Sequence, residues 1–141
     1  MPSLIIHLAI AKRYTEIHPN KISNLTDFEK GSIAPDFNND FSKILSKPEK
    51  AITHYYFESK KNNATDFNMF KHDKKVDLAN DYWKGYYAHI LADHLFYTSY
   101  FKQEDAQSIK DNTDLYDDFT KLTPRIIEDY QLKLDGDVIT V

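Results

Sequence analysis

The chain contains no cysteine. Disulfides, thiolate nucleophiles and cysteine-based zinc fingers are thereby excluded, and any metal has to sit on imidazole and carboxylate ligands. Glycine is nearly as scarce, at three in 141 residues, beside five scattered prolines. A β-rich fold needs more turn residues than that, so the expected class is all-α, a helical bundle around a long central helix. No apolar run approaches the roughly 18 residues of a membrane span. Strongly basic stretches are missing too: 18 Lys and Arg stand against 22 Asp and Glu, for a net charge of −4. Gripping a nucleic-acid backbone relies on Lys and Arg, so long nucleic acid is not expected as a partner. The opening "MPSLIIHLAIAKRY" has no basic residue ahead of its apolar part, which His7 interrupts. It does not read as a signal peptide, and a cytoplasmic location is expected.

What the chain has in abundance is aromatic side chains: ten Tyr, nine Phe and one Trp. Its length suits one domain, residues 1–141, burying about two thirds of its unfolded surface. Apolar spacing predicts a first helix over about 3–18, stopped by Pro19. "TDFEKG" predicts a short helix with a Thr26–Glu29 capping box and Gly31 as its stop. In "SIAPDF", Pro35 is expected to push Ala34 into extended geometry and present Asp36 from a stiff loop. A second capping box, Ser46–Glu49, opens another helix towards "THYYF", where His54 fits either a last turn or an extended segment. "NNATDFNMFKHD" predicts a short helix with Asn63 near its cap. A long central helix is expected over about 73–102, apolar almost all round, with Gly85 in its middle compensated by a close neighbour. Two further helices are expected at about 113–122 and 124–133, the second with Thr123 as cap and Pro124 at its first position.

Chemistry concentrates in "GYYAHILADHLFY", residues 85–97. Residues 82, 86, 89, 93 and 97 share one helical face, so His89 and Asp93 project from a stripe that should be buried. A lone ionised carboxylate there costs several kcal/mol, and Asp93 therefore needs a partner, a shifted pKa or a cation. Taken alone, the pair reads as a hydrogen bond within a helical core. His7 near the start of the first helix, Asp36 on the "GSIAPD" turn and His54 in "THYYF" each lie where apolar segments meet, and can converge on the same helix. Three imidazoles and two carboxylates without a thiol suit zinc or another first-row divalent ion.

In this order, "HLAIA", "GSIAPD", "THYYF" and "GYYAHILADH" resemble the zinc-dependent phospholipase C and single-strand nuclease superfamily, in particular its short bacterial phospholipase C-like members. The resemblance covers about residues 1–100. It implies that Asp36, His54, His89 and Asp93 hold one zinc, and that His7 and Asp93 hold a second, Asp93 bridging the two. It further implies a free N-terminal amine at the second site, which removal of Met1 before Pro2 would supply. The function implied is a phosphoester hydrolase of phospholipase C-like type, acting on a small phosphoester or a phospholipid head group. Water activated between ions about 3.5–4 Å apart would attack phosphorus, with Asp36 orienting or deprotonating it.

The sequence departs from that pattern as well. The larger enzymes hold a third zinc with two further histidines and a carboxylate beyond this helix, and no histidine follows His94 here. One or two ions are therefore expected. His94 points about 100° away from Asp93 and is expected to lie outside the ligand set, as a supporting or core histidine. His72 and Asp73, in the polar "FKHDKK", are expected at a solvated helix boundary. The rival expectation is a catalytically inactive, metal-stabilised helical domain with a structural or interaction role. A structural site is closed by protein on all sides, whereas a catalytic one keeps an open position.

Overall fold

Two glycine contacts that bring backbone against backbone, rather than a regular layer, organise this chain. The structure, a computed structural model, describes residues 4–57, 64–99, 124–125 and 128–129. In chain order these form α1 (Leu4–Ile17), α2 (Leu25–Ile33), a 3-10 turn (Ala34–Asp36), α3 (Lys47–Thr53), α4 (Phe67–His72) and α5 (Asp81–Ser99). The described residues form no strand, only two isolated antiparallel bridges, Phe37 with Ile44 and Tyr56 with Thr65. The class is all-α. No helix among the described residues is long and apolar enough to cross a membrane.

Helix ends follow their caps. α1 stops before Pro19, which has no N–H to continue the ladder. α2 begins at Asn24, whose side chain accepts the Asp27 N–H at 3.1 Å, and not at the expected Thr26–Glu29 box. It also runs through Gly31 to Ile33. Ala34 is correspondingly right-handed helical (φ −55°, ψ −37°) instead of extended, because the chain turns directly into the 3-10 turn that carries Pro35 and Asp36. The Ser46–Glu49 capping box opens α3 as expected. Asp66, not Asn63, caps α4 by accepting the Met69 N–H at 3.1 Å; residue 63 lies outside the described residues. α5 starts at Asp81, eight residues later than expected, because Asp73–Val76 and Asp77–Asn80 close separate turns that hold the polar stretch outside the helix. Of the two C-terminal helices, 113–122 lies outside the described residues, whereas residues 124, 125, 128 and 129 are helical.

Gly31 and Gly85 explain how α2 and α5 pack. A methyl group at Gly31 would lie 1.8 Å from the Tyr82 carbonyl oxygen, and one at Gly85 would lie 2.1 Å from that of Phe28. The two backbones touch, and only glycine leaves room on each side. Gly31 is thus a packing residue and not a stop. The same crossing is clamped at its open end by Asp81, which accepts the N–H groups of Ser23 and Asn24 at 2.9 and 2.7 Å. Apolar burial completes the fold in two clusters. One holds Ile5, Leu8, Ile33 and Phe37; the other holds Ala34, Tyr55, Phe70, Tyr86 and Ile90.

Candidate metal centre

His89 and Asp93 lie one turn apart on α5 and are 1% and 5% exposed. The glycine crossing sets what His89 meets: its Nδ1 lies 2.6 Å from the Ser32 carbonyl. Ser32 is in the last turn of α2, where carbonyls lack partners along the helix, so the imidazole satisfies an acceptor that would otherwise be orphaned. A carbonyl only accepts, so Nδ1 carries the proton and Nε2 presents its lone pair to the interior.

His54 reaches the same point from α3, its ring also resting on a backbone carbonyl. It is the C-cap residue, and its Nδ1 lies 2.8 Å from the last-turn carbonyl of Lys50. α3 closes with Tyr55 N–H donating to Ile52 O and Tyr56 N–H to Ala51 O, both at 3.1 Å, which is a Schellman ending. The left-handed position in that ending usually goes to glycine, but here Tyr55 takes it at φ 55°. Its ring packs against Phe70 and Tyr86, and its hydroxyl donates to Asp73 at 2.6 Å. These contacts offset a backbone cost of about 1–3 kcal/mol. Tyr86 in turn donates its hydroxyl to the Thr53 carbonyl, fixing α3 on α5.

Asp36 arrives from the 3-10 turn and His7 from α1. The ligand atoms then crowd together. The Nε2 atoms of His54 and His89 are 3.2 Å apart, and each faces Asp93 Oδ2, at 3.1 and 3.2 Å respectively. Asp36 closes the group, with Oδ1 3.3 Å from His54 Nε2 and Oδ2 3.6 Å from His89 Nε2. The other Asp93 oxygen, Oδ1, faces His7 Nε2 at 3.0 Å, although the pair is not aligned as a hydrogen bond. The His7 ring is stacked on that of His89, with centroids 3.6 Å apart and planes 11° from parallel. Two sets of ligand atoms, His54–His89–Asp93 and His7–Asp36–His89, lie mutually within 4.8 Å and could each hold a metal ion.

The electrostatics are those of a compact alternating cluster. Burial alone would raise Asp93, but the imidazoles that face it, His54 first and then His7 and His89, hold it far below the usual carboxylate range. Asp36 is likewise held low against its burial, chiefly by His54 and then by the neighbouring His89. Burial pulls His54 down, yet the facing Asp36 and Asp93 carboxylates win and push it up to about 9. His7 goes the other way, to about 4, because burial and the nearby His89 outweigh its carboxylate partner. Without a metal, the cluster therefore keeps one proton on His54 and leaves His7 neutral.

All five residues expected at the site, His7, Asp36, His54, His89 and Asp93, converge. His94 does not join them. It is half-buried against the edge of Phe67, ring centroids 5.0 Å apart, as its offset around the helix implied. His72 is an exposed helix-end residue whose Nδ1 lies 2.7 Å from the Asn68 carbonyl. Pro2 lies outside the described residues. Lys50 was not expected at the site; it supplies the carbonyl for His54 and also places its ammonium 3.9 Å from Asp36 Oδ1. Its position four residues before a C-cap histidine is the signal that points to it. Tyr56 was also passed over; its ring lies 5.3 Å from that of His54 at the edge of the cluster. No protein-family model, no curated protein sequence and no solved structure matches this chain.

Proposed function

We propose that the chain is a metal-dependent phosphoester hydrolase of phospholipase C-like type, a helical bundle related to the zinc-dependent phospholipase C and nuclease superfamily, with one or two zinc or other first-row divalent ions as cofactor. The observation that carries this reading is the 3.2 Å approach of the His54 and His89 Nε2 atoms. With both Nδ1 protons committed to backbone carbonyls, two neutral rings would press lone pair against lone pair. A cation between them removes the repulsion, as does a proton when the metal is absent.

The donor set fits such an ion. A tetrahedral zinc with Zn–N of about 2.0–2.1 Å has ligand-to-ligand edges of roughly 3.3–3.4 Å. The contacts among His54, His89, Asp93 and Asp36 run from 3.1 to 3.6 Å. Both Nε2 ligands have their Nδ1–H groups on carbonyls, the outer-shell arrangement that fixes the tautomer of a ligating histidine. Asp93 divides its oxygens between His7 and the other two imidazoles, which supports a bridging role between two ions.

When bound, such an ion would supply Lewis acidity and lower the pKa of a ligated water to about 7. The chain's own residues account for the rest. Asp36 is the most exposed of the five, its side chain 20% accessible against 6% or less for the others whose values bear on the centre, so substrate and water meet the cluster there. Its carboxylate orients a water or takes a proton from it. The Lys50 ammonium beside it attracts an anionic phosphoester and offsets charge on its oxygens. A small phosphoester or a phospholipid head group fits this opening better than long nucleic acid, given the net charge of −4.

The test is elemental mass spectrometry on untagged protein prepared without chelator, beside Asp93→Ala. One to two equivalents of a first-row metal, lost in the variant, together with chelator-sensitive hydrolysis of bis(p-nitrophenyl) phosphate, is the expected result. Absence of metal even after reconstitution overturns the proposal. Metal without hydrolysis of any phosphodiester would leave a metal-stabilised helical domain.

A further inference from the structure

On the opposite side of α5 from His89 and Asp93, an apolar groove of about 880 Å³ is lined by residues of α1, α2 and α5. Its volume is that of a small-molecule site, roughly 300–1,000 Å³. We propose that the groove binds a single-chain anionic amphiphile, a fatty acid of about 14 carbons, with its carboxylate on Lys84 and its chain laid along α5 towards Leu95.

The groove has a polar end and an apolar end. Lys84 is the only charged residue lining it among the described residues. Tyr14 belongs to the same end, because its ring lies 5.7 Å from that of Phe28, whose carbonyl abuts Gly85. α1 runs antiparallel to α5 here: Ile6 adjoins His7, which meets Asp93, and so stands at the far end with Leu95. From Ala88 to Leu95 the α5 lining is wholly aliphatic. One cation followed by an unbroken apolar run is complementary to one anionic head followed by a hydrocarbon chain.

Lys84 has a donor to spare. An ammonium carries three N–H groups. One meets the Lys21 carbonyl at 3.2 Å, and a second faces Asp81 Oδ1 at 3.5 Å. The other oxygen of Asp81 accepts the N–H groups of Ser23 and Asn24, which draws negative charge away from the lysine. The third N–H remains for a ligand, on a side chain that is 36% accessible. An ionised carboxylate is the acceptor that gains most from it, since charge-assisted hydrogen bonds are the strong ones.

Length decides the size of the ligand. From Lys84 to Leu95 α5 advances roughly 17 Å. A zigzag of carbon–carbon bonds about 1.5 Å long advances about 1.3 Å per methylene, so a chain of roughly 14 carbons spans the groove. A partner helix of that length and about 10 Å across would displace roughly 1,300 Å³ and stand out of the groove.

The test is calorimetric titration of the full chain with myristate, tetradecyltrimethylammonium and octanoate, each below its micelle concentration. One myristate should bind saturably, about tenfold or more tighter than the cationic analogue of equal chain. It should also bind about a hundredfold or more tighter than octanoate, since each methylene taken from water contributes up to about fourfold. Lys84→Met should erase the preference for myristate over the cationic analogue and keep the dependence on chain length. Should that variant fail to fold, the wild-type titrations decide, together with myristate carrying a diazirine at its methyl end. Photolabelling of peptides that contain Ile6 or Leu95 supports the proposal. Labelling at Asp36 or His54 assigns the carboxylate to the metal centre and overturns it. Absence of saturable binding, equal affinity for both head groups, or a Lys84→Met protein that still prefers myristate overturns it as well. The groove shares no residue with the ligand groups of the centre, so the outcome is independent of whether the centre holds metal.

Discussion

Replacing Gly85 by Ala sets two effects of opposite sign against each other. In an isolated helix the change is favourable by about 1 kcal/mol, since glycine is a poor helix former. In this fold the new Cβ would stand 2.1 Å from the Phe28 carbonyl oxygen, where ordinary contact begins at 3.4 Å. The struck atom is backbone, so α2 has to withdraw by the difference, about 1.3 Å. Overpacking of this kind costs about 1–3 kcal/mol and sometimes more. Withdrawal also stretches the 2.6 Å contact between His89 Nδ1 and Ser32 O towards 3.9 Å, beyond hydrogen-bond range. The expected net result is a metal-free protein destabilised by about 1–3 kcal/mol, or roughly 3–10 °C in melting temperature for a chain of this length. Thermal unfolding followed by circular dichroism in chelator isolates this from metal linkage. Metal affinity should fall as well, because His89 loses the group that orients it. A Gly85→Ala protein more stable than the wild type by about 1 kcal/mol would refute the close crossing, leaving helix propensity as the only effect.

The pH dependence of the metal-free protein follows from its histidines. His54 is raised from 6.5 to about 9, so its contribution is full below pH 6.5 and is lost as pH climbs to about 9. His7, lowered to about 4, acts oppositely: the unfolded chain binds its proton more readily, so stability rises with pH between about 4 and 6.5. Denaturant midpoints in chelator should therefore peak near pH 6.5; a monotonic rise to pH 9 would contradict the assignment to His54. Metal affinity should increase over that upper range, since a ligand has to shed its proton first, and isothermal titration at pH 6.5 and 8.5 measures it. Phe70, fully buried beneath Tyr55 and Tyr86, should cost about 3–5 kcal/mol on truncation to Ala, read as a fall in the urea midpoint. Ser46→Ala should cost only about 0.5 kcal/mol, at the low end for a cap, because both bonds of its box are long at 3.4 Å.

The residues at the centre were legible because their types conflict with their positions. A histidine and an aspartate on an apolar stripe need compensation, and three other segments each offered one imidazole or carboxylate for it. Helix class followed from scarce glycine and apolar spacing. What the sequence misplaced were features that depend on contacts between distant segments. Gly31 carries the local signature of a helix stop, yet it lies within α2 because Tyr82, fifty-one residues away, needs its missing side chain. Tyr55 carries no sign of a left-handed helix ending, since its conformation is held by Phe70, Tyr86 and Asp73. The start of α5 was hidden because the turns from Asp73 to Asn80 keep polar residues from joining an apolar helix. Sequence alone determined which groups have to be neutralised inside this protein, as burial cost depends on residue type. Tertiary structure decided which atoms face one another, because the glycine crossing and the α3 ending bring both Nε2 atoms to one point.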